Sequence, residues 1–256
     1  MKSTRRTFLK IAGLSLLGLG AKPVFDAHAG GAETKVIKAK EALEARRWAM
    51  VVDMAKFKSN VDYERVITAC HRTHNVPHIG DPKKEVRWIW IETFEHTFPD
   101  QQHEYLSRRI KQRPFLVLCN HCDNPPCVRV CPTRATFRRE DGIVAMDMHR
   151  CIGCRFCMVA CPFGARSFNW KDPRPYIKEI NPNFPTRTKG VVEKCNFCEE
   201  RLAQGLEPAC VVASDGALIF GDLEDPDSQV RKILGTSYTL RRKNELGTKP
   251  SVFYVI

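Results

Sequence analysis

Cys119-Asn-His-Cys122-Asp-Asn-Pro-Pro-Cys127-Val-Arg-Val-Cys131-Pro132 is followed, nineteen residues on, by Cys151-Ile-Gly-Cys154-Arg-Phe-Cys157-Met-Val-Ala-Cys161-Pro162. The second run has the spacing C-x2-C-x2-C-x3-C-P, in which three thiolates wrap one compact object and the fourth reaches a neighbouring one. One loop cannot close around the far side of a cubane, so each site needs a ligand from elsewhere in the chain. The proline after the fourth cysteine turns the chain where a missing N–H costs nothing. These residues predict [4Fe–4S] clusters and electron transfer.

The rival readings fit less well. Structural zinc takes paired C-x2-C knuckles far apart, not three cysteines within seven residues and then a fourth with a proline. A disulfide framework suits short chains with too little core, and this chain has 256 residues. No C-x-x-C-H occurs, so covalent haem is unsupported. No dinucleotide fingerprint or P-loop is present. No Ser/His/Asp set or paired-carboxylate site stands out, so no catalytic residue is assigned. An electron wire is favoured over an autonomous redox enzyme, which would need a further cofactor or pocket.

Thr4-Arg5-Arg6-Thr7-Phe8-Leu9-Lys10, the apolar stretch Ile11 to Ala21 and the small-residue site Ala27-His28-Ala29 read as a twin-arginine signal peptide over residues 1–29. An uncut anchor helix is the other reading of the same segment. The twin-arginine route exports folded proteins, which suits a cofactor inserted beforehand. No other segment reaches the roughly eighteen apolar residues of a membrane span. The expectation is a periplasmic or extracytoplasmic protein whose association with a membrane runs through a partner.

The full chain carries +12, of which the leader supplies a net +4 through Lys2, Arg5, Arg6, Lys10 and Lys22 against Asp26. A basic chain raises the question of nucleic acid. Each oxidised cubane with four thiolates carries about −2, however, so Arg129, Arg134, Arg150 and Arg155 read as local charge compensation and no nucleic-acid partner is expected. Hydrophobic content is modest, which predicts that the clusters act as staples and that the apo form folds poorly.

Along the chain, Ala49–Met54 reads as a buried strand and Tyr63 to Thr73 as a helix. Arg87–Thr93 alternates like a strand, with Trp88 and Trp90 as core or interface packing. Ala135 to Arg138 and Ile143 to Asp147 flank Glu140-Asp141-Gly142, a hairpin signal. Between the cysteine runs this gives loop–helix–hairpin–loop–helix, the ferredoxin plan. Lys171 to Lys189, rich in Pro and Asn, reads as an exposed loop of the kind that faces partners. Helical turns are expected within Cys195 to Ala213, a strand at Ala217–Asp222, and an extended tail from Leu246.

The motifs together are specific. Cys119-Asn-His-Cys-Asp-Asn-Pro-Pro-Cys, Asp141-Gly-Ile-Val, Cys151-Ile-Gly-Cys-Arg-Phe-Cys, Lys189-Gly-Val-Val-Glu-Lys-Cys-Asn-Phe-Cys and the closing Leu246-Gly-Thr-Lys-Pro-Ser-Val-Phe-Tyr resemble the electron-transfer subunit of the dimethyl sulfoxide reductase family. The resemblance implies an α+β fold of two ferredoxin-like [4Fe–4S] halves related by pseudo-symmetry, with loop insertions. The outer half would comprise residues 30–118 and 190–256 with one cluster, and the inner half residues 119–189 with two clusters and the Pro-rich loop.

Members of that family hold four cubanes from four cysteine groups, groups two and three exchanging fourth ligands, as do one and four. This chain departs at both ends. In group four, Ser214 stands where a fourth cysteine would follow Cys195, Cys198 and Cys210. In group one only Cys70 remains, and the expected triple is replaced by the stretch around Phe57 to Asp62. All four ligands of one cluster are therefore gone together. The resemblance then implies three sets: Cys119, Cys122, Cys127 and Cys161 (set one); Cys151, Cys154, Cys157 and Cys131 (set two); Cys195, Cys198, Cys210 and Cys70 (set three).

The missing cluster is the one that faces the molybdenum subunit in molybdenum members, so no such partner is expected. The implied role is passing electrons between a membrane quinone-linked subunit of the NrfD type and an exported multihaem cytochrome c, in sulfur-linked anaerobic respiration or sulfur oxidation. A nitrite, polysulfide, tetrathionate or hydrogenase system is the alternative. His121, inside the first run, reads as a group that tunes a cluster. His71, His74 and His78 read as a polar loop over Cys70, with a metal site as the other possibility.

Overall fold

A six-residue strand, β1 (Trp48–Asp53), lies at the heart of the fold. Its run Trp48–Val52 is apolar and buried throughout because both faces are covered. Trp48, Met50 and Val52 enter the main core, while Ala49 and Val51 pack on the other face with Val230 and Phe253. In this computed structural model the described residues are 41–256, which lie within one compact unit. The signal-peptide reading and residues 30–40 fall outside them.

After β1 the chain forms helix α1 (Asn60–Thr73). Asp62 accepts from the Ser59 backbone N–H at 2.9 Å and from its hydroxyl at 3.2 Å, closing a capping box at the helix start. Tyr63, Val66 and Cys70, at helical spacing, are its buried residues. Strand β2 (Ile89–Glu92) is shorter than the alternation predicts, because the Arg87 N–H donates to Ser167 Oγ and Thr93 caps the next helix. Helices α2 (Phe94–Thr97) and α3 (Arg108–Gln112) lead to β3 (Phe115–Leu118), which pairs antiparallel with β2.

Helix α4 (Pro126–Arg129), the hairpin β4 (Thr136–Arg138) and β5 (Val144–Met146), and helix α5 (Phe156–Val159) follow in the expected order. Gly142 closes the hairpin at φ +83°, a conformation that costs glycine nothing. Strands β6 (Ser167–Phe168) and β7 (Val192–Glu193) pair across the Pro-rich segment. Helices α6 (Glu199–Leu202) and α7 (Ala209–Val212) carry the last cysteines. Strand β8 (Leu218–Asp222), helix α8 (Gln229–Thr236), β9 (Thr239–Leu240) and β10 (Val252–Val255) complete the chain.

The main sheet runs β8-β1-β10-β9, with β10 parallel and β8 antiparallel to β1. Helix α8 lays Val230 over its second face. The Tyr254 hydroxyl donates to the Leu116 carbonyl at 3.0 Å and ties this sheet to β3, just before the first cysteine run. Among the described residues no helix is long and apolar enough to cross a membrane.

The segment 171–189 is a loop, as expected, but it is fastened rather than free. Asn75 donates to the carbonyls of Asn181 and Phe184 at 2.9 and 2.5 Å, and Asn181 donates back to Thr73 O at 2.7 Å. Arg187 donates to the carbonyls of His74 and Asn75. The loop is therefore a strap over the end of α1.

Candidate functional site

Set one forms where β3 delivers Cys119, the following loop Cys122, the start of α4 Cys127, and the turn after α5 Cys161. The Cys122 thiol is pushed up to about 12, by burial and by the thiols of Cys119, Cys127 and Cys161. Cys119, Cys127 and Cys161 therefore all lie near Cys122. Set three is drawn together by the packing of α1 on α7. Burial, then the thiols of Cys210, Cys195 and Cys198, holds Cys70 well above its ordinary value. Burial pushes Cys210 up to about 12. All four of these cysteines are buried.

Set two is more open. Cys151, Cys154 and Cys131 are only part-buried. Gly153 lets its loop pass tightly against the Gly190 carbonyl, which occupies the space a Cβ would need. Burial raises the Cys157 thiol, with Cys127 and Cys151 adding to the rise against Arg166. Cys131 follows α4, which packs on α5. Burial pushes its thiol up, but hydrogen bonds from the Thr136 backbone and from Thr133 outweigh that and leave it lowered.

Set one adjoins both of the others. Cys127 of set one acts on Cys157 of set two, and Cys119 of set one acts on Cys195 of set three. Between sets one and three the His121 ring stacks on Phe197, centroids 3.7 Å apart. His121 is fully buried, and its Nδ1 accepts from the Val144 N–H at 3.1 Å. Burial, then Lys194 and Arg166, holds its pKa well below the usual value.

The three imidazoles near Cys70 do not converge, so the histidine metal site is not formed. His74 is buried against Trp88 with its Nε2 2.8 Å from Glu200 Oε1, whereas His78 is exposed and pairs with Glu85. Burial lowers the pKa of His71 to about 4. Trp88 is core, as expected. Its Nε1–H donates to Glu193 at 2.8 Å.

Ser214 is committed elsewhere. Its buried hydroxyl donates to Val211 O at 2.7 Å and accepts from Leu218 N at 3.0 Å. Around it, Lys56 Nζ donates to Gly216 O at 2.9 Å, Arg65 pairs with Asp215 at 2.5 Å, and Phe57 stacks on Tyr63. Ordinary packing and ion pairs stand where group one's triple would be.

The residues fit iron–sulfur clusters. None of the twelve cysteines is in a disulfide. Backbone N–H groups point at sulfur, from Phe197 to Cys195 at 3.5 Å and from Ala209 to Cys198 at 3.4 Å, as thiolate ligands require. Arg166, 5% exposed, has a buried Nη2 with no oxygen or nitrogen partner and a guanidinium within reach of the thiols of Cys127 and Cys157. Crowded thiols that burial keeps protonated are stabilised once a cation deprotonates and binds them.

A fold that gathers twelve free cysteines, seven of them buried, into neighbouring sets is that of a cubane-binding electron-transfer protein. The 4Fe-4S dicluster domain family model matches residues 114–223. The chain is 40% identical over 273 residues to the Hdr-like menaquinol oxidoreductase iron-sulfur subunit 1 of Archaeoglobus fulgidus, covering 98% of this chain and 97% of that one. It is 33% identical to the menaquinone reductase iron-sulfur cluster-binding subunit of Nitratidesulfovibrio vulgaris, over 82% and 88% of the two chains. A polysulfide reductase polypeptide of Wolinella succinogenes is 46% identical over 54% of this chain and 64% of its own length. The chain belongs to the iron–sulfur subunit family of Hdr-like, dimethyl sulfoxide reductase and polysulfide reductase-type oxidoreductases.

Sequence reasoning missed Arg166, Lys194, Phe197 and the buried pair Arg187–Glu193. Lys194 and Phe197 sit beside cluster cysteines in sequence, and that adjacency was a signal. Arg166 and Arg187 gave none, because nothing local marks a charge as buried.

Proposed function

We propose that this chain is a three-cluster electron wire of an exported, membrane-quinone-linked complex. The observation that carries it is Cys70 buried among Cys195, Cys198 and Cys210, while Ser214 is already bonded. In this reading sets one, two and three each hold one [4Fe–4S] cluster. The clusters supply one-electron transfer, and the nearness of set one to each of the others supports the order two, one, three. Sets one and two form the inner ferredoxin-like half, residues 119–189. Set three belongs to the outer, pseudo-symmetric half, residues 30–118 and 190–256.

The names of the Archaeoglobus and Nitratidesulfovibrio relatives support menaquinone as the membrane carrier. An NrfD-type membrane subunit would exchange electrons with it, and an exported multihaem cytochrome c would stand at the other end. The twin-arginine reading of residues 1–29 places the protein outside the cytoplasm. Among known subunits, DsrO of the Dsr transmembrane complex of sulfur metabolism is the type that fits best.

Iron and acid-labile sulfide on anaerobically purified protein test this directly. About twelve of each per chain is the expected result. About sixteen would mean a fourth cluster and would reopen a molybdenum partner, and zinc in place of iron would overturn the function. Ser214→Cys alone is expected to add no iron, because the other three ligands of that site are absent. A gain of about four irons in that variant would refute the lost-set argument.

A further inference from the structure

Two cations are buried among the cysteine sets without a carboxylate partner among the described residues. Arg166 lies just after the loop of Cys161 and is 5% exposed. Its Nη1 donates to Thr136 Oγ1 at 3.1 Å and lies 3.7 Å from the Met146 sulfur. Its Nη2 is buried with no oxygen or nitrogen partner, and the guanidinium lies within hydrogen-bonding reach of the thiols of Cys127 and Cys157. Burial alone would lower its pKa, yet the thiols of Cys127, Cys157 and Cys119 raise it overall. Cys127 and Cys119 belong to set one and Cys157 to set two.

Lys194 is 2% exposed. Its ammonium donates to the carbonyls of Val144 and Cys195, which uses two of its three hydrogens. It sits between Val144, whose N–H donates to the His121 ring next to Cys122 of set one, and Cys195 of set three. Both cations act on His121, the ring between them.

A buried cation without a counter-ion is strongly unfavourable. Carbonyls and one hydroxyl solvate these two only in part. The compensating negative charge would come from thiolate-ligated clusters, each carrying about −2 when oxidised. Neighbouring anionic clusters repel each other, and adding an electron to one makes the next harder to reduce. A cation at each junction counters both effects. Its action is local, so it falls on the two adjacent clusters and not on the far one.

We propose that Arg166 and Lys194 are junction cations, one between sets one and two and the other between sets one and three, and that each raises the reduction potentials of the two clusters it separates. They are positioning residues for electron transfer and touch no substrate. The inference rests on the three-cluster reading.

The experiment is an EPR-monitored redox titration of the holoprotein, comparing wild type with Arg166→Gln, Arg166→Lys and Lys194→Gln. Signals are assigned by Cys70→Ala, which removes set three. About twelve irons and three signals in wild type establish the underlying reading separately. Arg166→Gln is expected to lower the reduced-to-oxidised ratio of sets one and two about tenfold at their wild-type midpoints, the scale of one lost charged hydrogen bond. Set three should not move, and Arg166→Lys should recover most of the shift. Lys194→Gln should lower sets one and three and spare set two. Equal shifts in all three signals, or none, would overturn the proposal. If Arg166→Gln fails to load iron, Lys194→Gln decides alone, and a shift of set two in that variant counts against the proposal.

Discussion

Cys70→Ala is expected to strip about four of about twelve irons and extinguish one EPR signal, leaving the other two clusters in place. Cys70 is the one cysteine of set three that comes from the first part of the chain, on α1, whereas the rest come from residues 195–210. The thiols that act on it most strongly are those of Cys210, Cys195 and Cys198. Losing one buried sulfur from packing costs on the order of 1 kcal/mol. A larger fall in stability would come from the lost cluster, since metal binding in such sites is also folding energy. Iron analysis and reduced-state EPR on the purified variant check it. Full iron content would show that Cys70 is not a ligand. Loss of all three clusters would show that set three is needed to fold the rest.

What could be read in the sequence was what is local or periodic. The cysteine spacing identified the chemistry because one loop must wrap one cluster. Gly142 marked the hairpin, and the buried run Ala49–Met54 marked the central strand. The joint absence of cysteines near Phe57 and at Ser214 was also legible, and the geometry at Ser214 gives it a physical basis. Of the histidines read as a polar loop over Cys70, the alternative of a shared metal site fails because nearness in sequence is not convergence: at the end of α1 the chain turns, sending His74 inward to Glu200 and His78 outward to Glu85. The buried charges were illegible for another reason. Periodicity treats Arg and Lys as surface residues, and only the fold reveals Arg166, Arg187 and Lys194 as interior. That the exposed loop is fastened as a strap was not legible, because its anchors, Asn75 and Arg187, lie more than a hundred residues from their partners.

Glu193→Ala is expected to destabilise the protein by about 3–5 kcal/mol, the range for removing one partner of a buried ion pair. Glu193 and Arg187 are both fully buried, with Arg187 Nη2 2.6 Å from Glu193 Oε2. The same carboxylate accepts from Trp88 Nε1 at 2.8 Å and from Asn169 Nδ2 at 2.5 Å. Alanine leaves Arg187 charged, buried and without a counter-ion, and deprives the Trp88 N–H of its acceptor. Arg187 is also what holds the strap to the carbonyls of His74 and Asn75, at the end of the helix that carries Cys70. Set three should therefore be the first to release its iron as the variant unfolds, ahead of sets one and two. Glu193→Gln keeps an acceptor for Trp88 but not the charge, so its loss should be smaller. Anaerobic urea denaturation of the holoprotein, followed by tryptophan fluorescence and by the EPR signals, measures both the midpoint and the order of cluster loss. A change below about 1 kcal/mol would mean that the pair counts for no more than an exposed salt bridge. Simultaneous loss of all three signals would mean that the strap does not act on set three in particular.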